Sequence, residues 1–390
     1  MGVISMRRST WTTGALVALI LYCPVRTLAQ EAGAVPLMVD VYRAGEAGYD
    51  TFRIPSVIAA ADGTLLAFAE GRRISASDTG DIDLVVKRSR DGGTTWSALA
   101  VVGDNGPNTF GNPCPVLDAR TGTLVLFATQ NLGTDREKDI IAGTSKGGRT
   151  VWVLTSTDHG VSWSDPREVT ATAKRSDWTW YATGPGIGIQ LRDGRLVIPA
   201  NHAVGGTGVH HSHVITSDDG GGTWRLGGRS DAGTNESQVV ELADGRLMLN
   251  MRNHPPTSGS NHRMVATSRD GGETWSPARA DEALIEPPAQ ASLLRLPQQG
   301  TGAPRLLFSN PASSRRERMT VRVSEDEGQT WPIARIVHEG PAAYSSLVDL
   351  QDRGIGLLFE RGEKSPYETI TFAVFTLPWL TAGRDGPAAR

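Results

Sequence analysis

The chain has almost no cysteine, 2 residues in 390. Cys23 sits inside an N-terminal apolar stretch, behind Tyr22, a poor neighbour for a lipidation site. Without that stretch Cys114 stands alone, so no intrachain disulfide can form and stability has to come from packing. Cys114 itself reads as a small buried apolar residue. An excess of charge is missing too: 39 Lys and Arg against 42 Asp and Glu leave a formal charge of −3, and the basic residues form no long run. No nucleic-acid partner is expected on that balance. There is no phosphate-cradling glycine motif, no zinc-ligand spacing, and no linker or helical stretch that would mark a second domain.

Glycine, by contrast, is plentiful at 45 residues, often in Asp-Gly pairs, which fits a chain of many turns. Residues 1–29 read as a secretory signal. Arg7 and Arg8 form its positive end, Thr13 to Tyr22 its apolar core, and Thr27-Leu28-Ala29 a cleavage site. The core is too short for a bilayer, which needs about 20 apolar residues. A secreted or periplasmic protein is therefore expected, with residues 30–390 as one domain and a short loose tail after Thr381.

One octapeptide pattern, S-x-D-x-G-x-T-W, occurs five times, ending at Trp96, Trp163, Trp224, Trp275 and Trp331, at steps of 67, 61, 51 and 56 residues. The copy from Ser156 has Ser162 in the Thr slot. The residue types describe a hairpin turn. Ser and Asp side chains hydrogen-bond nearby backbone amides, Gly supplies a left-handed backbone, and Trp folds back to bury its ring. A unit of this length, repeated, signals a propeller or solenoid. The pattern resembles the Asp-box of β-propeller proteins.

Short runs rich in Val, Ile, Leu, Thr or Phe alternate with the turns, among them Ser56–Ala60, Thr64–Ala69, Leu84–Arg88, Thr123–Ala128, Val151–Thr155, Arg246–Met251 and Met319–Val323. The boxes follow such runs directly, which places them between the outer strands of a four-stranded antiparallel blade. The 361 residues after the leader amount to about six units of sixty. The expected fold is an all-β, six-bladed β-propeller with five Asp-box turns. Val35–Tyr42 and Tyr367–Leu377 are expected to pair as the blade without a box, because an open ring would leave free edges.

Asp-boxes are structural, and a propeller says nothing about activity. Phe52-Arg53-Ile54-Pro55 is more telling, since a cation among apolar residues is costly unless it meets an anion. Here the chain resembles the sialidases (neuraminidases), in particular bacterial exo-α-sialidases of the Asp-box or BNR-repeat superfamily. The resemblance implies that Arg53 is the first of three arginines clamping a substrate carboxylate. It continues through Glu70-Gly71-Arg72 and Ser77 to Leu84, implying that Asp78 is the acid/base and that Arg72 contacts a ring hydroxyl. Gly111-Asn112-Pro113-Cys114-Pro115 matches a pocket strand, with Asn112 where some relatives have Asp, facing the sugar's N-acyl or hydroxyl group. Glu236 then matches the base, Arg252 the second clamp arginine, and Arg316, or its neighbour Arg315, the third. Tyr344 matches the nucleophile, and Glu360 the carboxylate that steadies Arg53.

These residue types suit the chemistry. Guanidinium forks match a carboxylate, and a neutral phenol avoids the repulsion that an anionic nucleophile would meet beside one. A tyrosine with a pKa of about 10 needs an adjacent base. Tyr nucleophiles are a known exception to two-carboxylate glycosidases. The resemblance implies a retaining exo-α-sialidase acting on sialylated glycans (glycoproteins, gangliosides, sialyl-oligosaccharides), a monomer without metal or cofactor. The alternatives are a trans-sialidase, an enzyme for a related nonulosonic acid, or a non-catalytic glycan-binding propeller. His210, His211 and His213 lack partners with metal-site spacing and read as part of a polar strand. Asp135, Glu137 and Asp139 match no calcium loop. Trp178 and Trp180 either stack on sugar or fill the rim.

Overall fold

The structure is a computed structural model, describing residues 1–3, 36–254, 261–297 and 304–382. The expected leader lies almost wholly outside these residues, as does the tail beyond Ala382. Strands dominate, in four sheets. A seven-stranded sheet runs through Leu37–Arg43, Thr369–Phe375, Ile355–Arg361, the 17-residue Ile333–Asp349, Glu317–Ser324, Arg305–Pro311 and Ser292–Leu296. An eight-stranded sheet holds the strands from Thr51–Ala59 to Arg167–Glu168. A five-stranded sheet includes Trp178–Thr183, Leu196–Val204 and Val209–Ser217, and a four-stranded one runs from Thr234–Glu241 to Arg279–Ile285. The two ends of the described chain meet: Leu37–Arg43 pairs antiparallel with Thr369–Phe375, from Leu37↔Val374 to Arg43↔Thr369.

The strands are covered on both faces. In Thr123–Asn131, Leu124, Leu126 and Ala128 pack into one apolar cluster while Val125 and Phe127 pack into another, all with no exposed surface. Side chains alternate across a strand, so a continuous run of apolar residues is what a sheet sandwiched between two neighbours requires. Leu357 and Phe359 against Leu358 repeat the arrangement at the chain's end. Truncating such a residue, as in Phe127→Ala, costs about 3–5 kcal/mol.

The five octapeptides tie neighbouring groups of strands together. In each, the Ser hydroxyl accepts from the Gly amide at 2.8–2.9 Å and donates to the Asp carboxylate at 2.7–2.8 Å. That carboxylate accepts the amide four residues on from the Ser-bonded Asp, at 2.9 Å in all five. The glycines have φ between +75° and +96°. A Cβ there is also blocked by side chains from other strands: Phe372 Cε1 at 2.1 Å for Gly93 and Leu66 Cδ2 at 2.1 Å for Gly160. The tryptophans pack edge-on in the same direction, Trp96 on Phe372, Trp163 on Phe68 and Trp224 on Phe127. Each box therefore acts as a turn and as the wedge between consecutive packed layers.

Candidate active site

Among the irregularities in the strand ladders, five fall around one cavity. Register shifts fall between Arg53 and Ser56, Gly111 and Cys114, Trp178 and Tyr181, Thr234 and Ser237, and Ala342 and Ser345. Bulges bend a strand and redirect its side chains. Here they turn Arg53, Asn112, Trp180, Glu236 and Tyr344 towards one cavity of about 410 Å3, lined also by Arg72, Asp78, Glu137, Arg149, Asn201, Arg252, His254, Arg316 and Tyr367. A larger cavity of about 720 Å3 lies at the other ends of the same strands, lined by Ile58, Val116, Val240 and Val348, and holds no such constellation.

Glu360, with no exposed surface, ties two of these strands together. Its carboxylate accepts from Arg53 Nε at 2.9 Å, from the Ile54 amide at 2.9 Å and from the Tyr344 amide at 3.0 Å. Ile54 is held at φ +59°, a strained conformation for a β-branched residue. Arg53 also lies over the rings of Tyr367, at 4.1 Å, and Tyr344, at 5.3 Å. Arg252 Nη1 pairs with Glu236 Oε2 at 2.9 Å. Arg316 donates to the Tyr367 hydroxyl at 2.6 Å and to the Pro288 carbonyl at 2.7 Å, and its guanidinium lies over Tyr344 at 5.3 Å. Arg315 points away: its side chain is 79% exposed and paired with Glu317. Three guanidiniums thus surround one phenol.

The Tyr344 hydroxyl donates to Glu236 Oε1 at 2.5 Å. Burial, then the Glu236 charge, pushes the phenol well above its ordinary pKa, against the pull of Arg252, Arg316 and Arg53. The phenol is neutral at rest, and can ionise only by passing its proton on. Asp78 lies on a loop, its side chain 58% exposed, 2.7 Å from Arg72 Nη2 and 3.9 Å from Arg53 Nη1. Burial raises its pKa, but the Arg72 and Arg53 guanidiniums outweigh it and hold the carboxyl below its usual range.

All nine residues singled out from the sequence sit together, eight lining the cavity and Glu360 directly behind it. Several others were missed. Glu70 anchors Arg72 at 2.6 Å and the Asn112 amide at 2.8 Å. Gly111 is required beside it, since a Cβ would come within 2.3 Å of Glu70 Oε1. Glu70 stands in the Glu-Gly-Arg triplet, which could have flagged it. Glu137 (first residue of helix Glu137–Ala142), Arg149, Asn201 and Tyr367 come from connections or strands with no motif. The tryptophan pair splits. Trp178 is stacked on His202 at 3.4 Å in the interior, while Trp180 lines the cavity. The three histidines lie on the strand Val209–Ser217, and no cluster able to hold a metal occurs among the described residues.

An all-β scaffold with a phenol–carboxylate pair under three guanidiniums is the arrangement the resemblance to sialidases implies, and the comparisons show the class, a glycoside hydrolase of the sialidase kind. The BNR repeat-like domain model matches residues 63–358. The sialidase of Micromonospora viridifaciens is 36% identical over 89% of this chain, which spans 55% of that protein's length. The exo-alpha-sialidase of Arthroderma benhamiae is 34% identical over 86% of each chain. Among solved structures, the Hadza microbial sialidase Hz136 superposes with a TM-score of 0.81 and 31% identity, over 88% of this chain and 69% of its own. The chain belongs to the BNR-repeat sialidase family.

Proposed function

We propose that this protein is a retaining exo-α-sialidase releasing terminal α-linked sialic acid from glycoproteins, glycolipids and sialyl-oligosaccharides. One observation carries the reading: the 2.5 Å contact between Tyr344 and Glu236, beneath Arg53, Arg252 and Arg316. The three arginines grip the substrate carboxylate. The Tyr344 oxygen attacks the anomeric carbon while its proton passes to Glu236. The glycosidic bond breaks as Asp78, protonated once the substrate draws Arg72 and Arg53 away from it, gives its proton to the departing oxygen. Asp78 then takes a proton from water, whose oxygen displaces Tyr344, and Glu236 returns the phenolic proton. Arg72 meets a ring hydroxyl. No metal or cofactor enters the scheme.

Two further readings accompany it. The sheets divide into six sets, five of four strands and one of five, if the seven-stranded sheet is split along Ile333–Asp349 and the eight-stranded one at its single parallel pairing, Ile82↔Thr109; in the set of five, Trp178–Thr183 and Ile189–Gln190 pair with successive stretches of the one strand Leu196–Val204. That division supports a six-bladed ring, working as a monomer. Residues 1–29 would direct secretion or periplasmic export.

The test is hydrolysis of sialyllactose by the wild type and Tyr344→Phe. The variant should lose at least about a hundredfold in kcat/KM. NMR should show the α-anomer as the first product, and a 3-fluorosialosyl fluoride should label Tyr344. Inversion, or labelling elsewhere, would sink the proposal.

A further inference from the structure

The base of the proposed reaction stands on a stretch that the sheet itself does not hold. Asn235 and Glu236 fall in the register shift between Thr234 and Ser237, where neither is paired with the neighbouring strand Leu247–Asn253. Side chains hold this stretch instead. Ser212 donates its hydroxyl to the Asn235 carbonyl, and Asn235 Oδ1 accepts the Glu236 amide at 2.7 Å. The Glu236 carbonyl has a longer contact, 3.5 Å from Arg263 Nη2. Asn235 Nδ2 in turn lies 3.1 Å from Nδ1 of His210, a buried residue on the strand Val209–Ser217 that does not line the cavity. The contacts therefore run from His210 through Asn235 and Glu236 to the Tyr344 hydroxyl.

Donor and acceptor roles along this line follow from one fixed group. The Glu236 amide is a donor, so the Asn235 atom facing it is the oxygen, and the atom facing His210 belongs to the NH2 group, also a donor. His210 Nδ1 must then accept, which leaves its proton on Nε2 and the ring neutral. The surroundings enforce that state. Burial, then His254, Arg252 and His211, lower the His210 pKa to about 4, and the His254 ring stands edge-on to it at 4.5 Å. With no acceptor at position 210 the Asn235 NH2 group is stranded, and turning it elsewhere takes the oxygen away from the Glu236 amide. A shift of that backbone moves Glu236 against Tyr344, and a misplacement of about 1 Å can cost a reaction about a hundredfold.

We propose that His210 is a positioning residue for the base: through Asn235 it fixes the amide of Glu236, and so the contact between Glu236 and Tyr344. This rests on the sialidase reading and adds to it a residue that touches neither substrate nor nucleophile.

The experiment measures labelling of Tyr344 by a 3-fluorosialosyl fluoride in the full chain. Fluoride departs without protonation, so the step isolates attack by Tyr344, with Glu236 as base, from Asp78. The maximal rate constant of labelling belongs to each folded molecule, and a mere loss of folded protein leaves it unchanged. His210→Phe keeps a ring but no acceptor. It should lower that constant at least about tenfold, with half-saturation within about threefold because Arg53 and Arg316 are held by other residues. His210→Asn returns an acceptor, its Oδ1, to the place of Nδ1 and should recover most of the rate. Asn235→Ala should match His210→Phe, and the double variant should be no slower than either. A His210→Phe rate within about threefold of the wild type overturns the proposal. So does a His210→Asn no faster than His210→Phe, or a double variant whose losses multiply. Should His210→Phe not fold, Asn235→Ala against His210→Asn makes the same comparison: slow against near-normal supports the proposal, and an Asn235→Ala as fast as the wild type overturns it. If the wild type is not labelled at Tyr344, the sialidase reading fails and this proposal with it; a labelled wild type with an equally fast His210→Phe defeats the proposal alone.

Discussion

Glu360→Gln separates a structural anchor from ordinary polar packing. Gln has the shape of Glu but replaces one carboxylate oxygen with a donor. If its nitrogen takes the Oε1 position, it faces Arg53 Nε and the Ile54 amide, both now at 2.9 Å. If it takes Oε2, it faces Arg53 Nη2, at 3.4 Å, and the Tyr344 amide, at 3.0 Å. The second orientation is cheaper because it gives up the longest contact. It still sets a donor against the Tyr344 amide and leaves the Arg53 cation only the more distant Asp78, at 3.9 Å, as a counter-charge.

Breaking a buried ion pair by removing one partner costs about 3–5 kcal/mol, out of a total stability of about 5–15 kcal/mol. The variant should therefore fold, with a melting temperature lower by about 5–10 °C. Catalysis should suffer more than stability implies, because the lost bonds hold both Arg53 and the backbone of Tyr344. Well below the melting temperature, kcat/KM with a fluorogenic sialoside should fall by at least about a hundredfold. Glu360→Asp, which keeps the charge, should recover part of both losses. If Glu360→Gln melts within about 1 kcal/mol of the wild type and retains kcat/KM within about threefold, the anchor argument is wrong.

Arg316→Lys should raise KM about tenfold or more, whereas Arg315→Lys, on an exposed side chain, should leave it unchanged; steady-state kinetics on the pair checks this. Asp78→Ala should depress hydrolysis of sialyllactose, an alkoxide-leaving substrate, by about 10²–10⁴, and that of an activated aryl sialoside much less. Melting temperature should fall with acidification in two stages. Burial lowers His210 to about 4 and His213 to about 3. A base depressed in the fold takes up more protons when unfolded, so stability drains as pH falls from about 6.5 towards those values. Hydrogen bonds within the boxes hold Asp219 near 2, and at Asp270 burial raises the pKa but the same set of hydrogen bonds outweighs it and holds the carboxyl near 2 as well. Their contribution is present above about pH 4 and is lost as pH falls through the folded values. Replacing His213 with Gln should flatten the first stage only. Ser217→Ala should cost about 1–2 kcal/mol by stranding the Gly221 amide and a lone pair of Asp219, with kcat/KM intact.

The scaffold and the candidate site residues were legible for different reasons. The boxes announce themselves because every residue in them has a local job: Ser and Asp satisfy amides within the turn, Gly adopts a backbone no Cβ tolerates, and Trp reaches the next layer. Their chemistry is written within eight residues. Arg53, Asp78, Glu236 and Tyr344 were legible through resemblance over most of the chain, since no spacing rule joins Arg53 to a carboxylate 307 positions away. Arg149, Asn201 and Tyr367 were not legible. An arginine before a strand is ordinarily a solvated one, and only the folded cavity shows that this one is buried over Trp180 with no ion pair among the described residues. Arg315 and Arg316 could be ranked by register alone, but the direction in which each points depends on the turn around them.

The same account explains why the site sits where the ladders break. A regular strand points alternate side chains at its two neighbouring layers, both of them apolar here, and leaves none to face along the ring. A bulge frees one residue from that alternation. Ile54 at φ +59° and Asn112 at φ +56° carry the strain at two of the five irregularities around the cavity, and each is held by a buried carboxylate on its amide, Glu360 and Glu70. Those carboxylates also hold Arg53 and Arg72. Backbone distortion and cation placement are therefore secured by the same two side chains. Neutralising Glu70 should then disturb the Asn112 strand and the Arg72–Asp78 pair together, as Glu360 does for Arg53 and Tyr344.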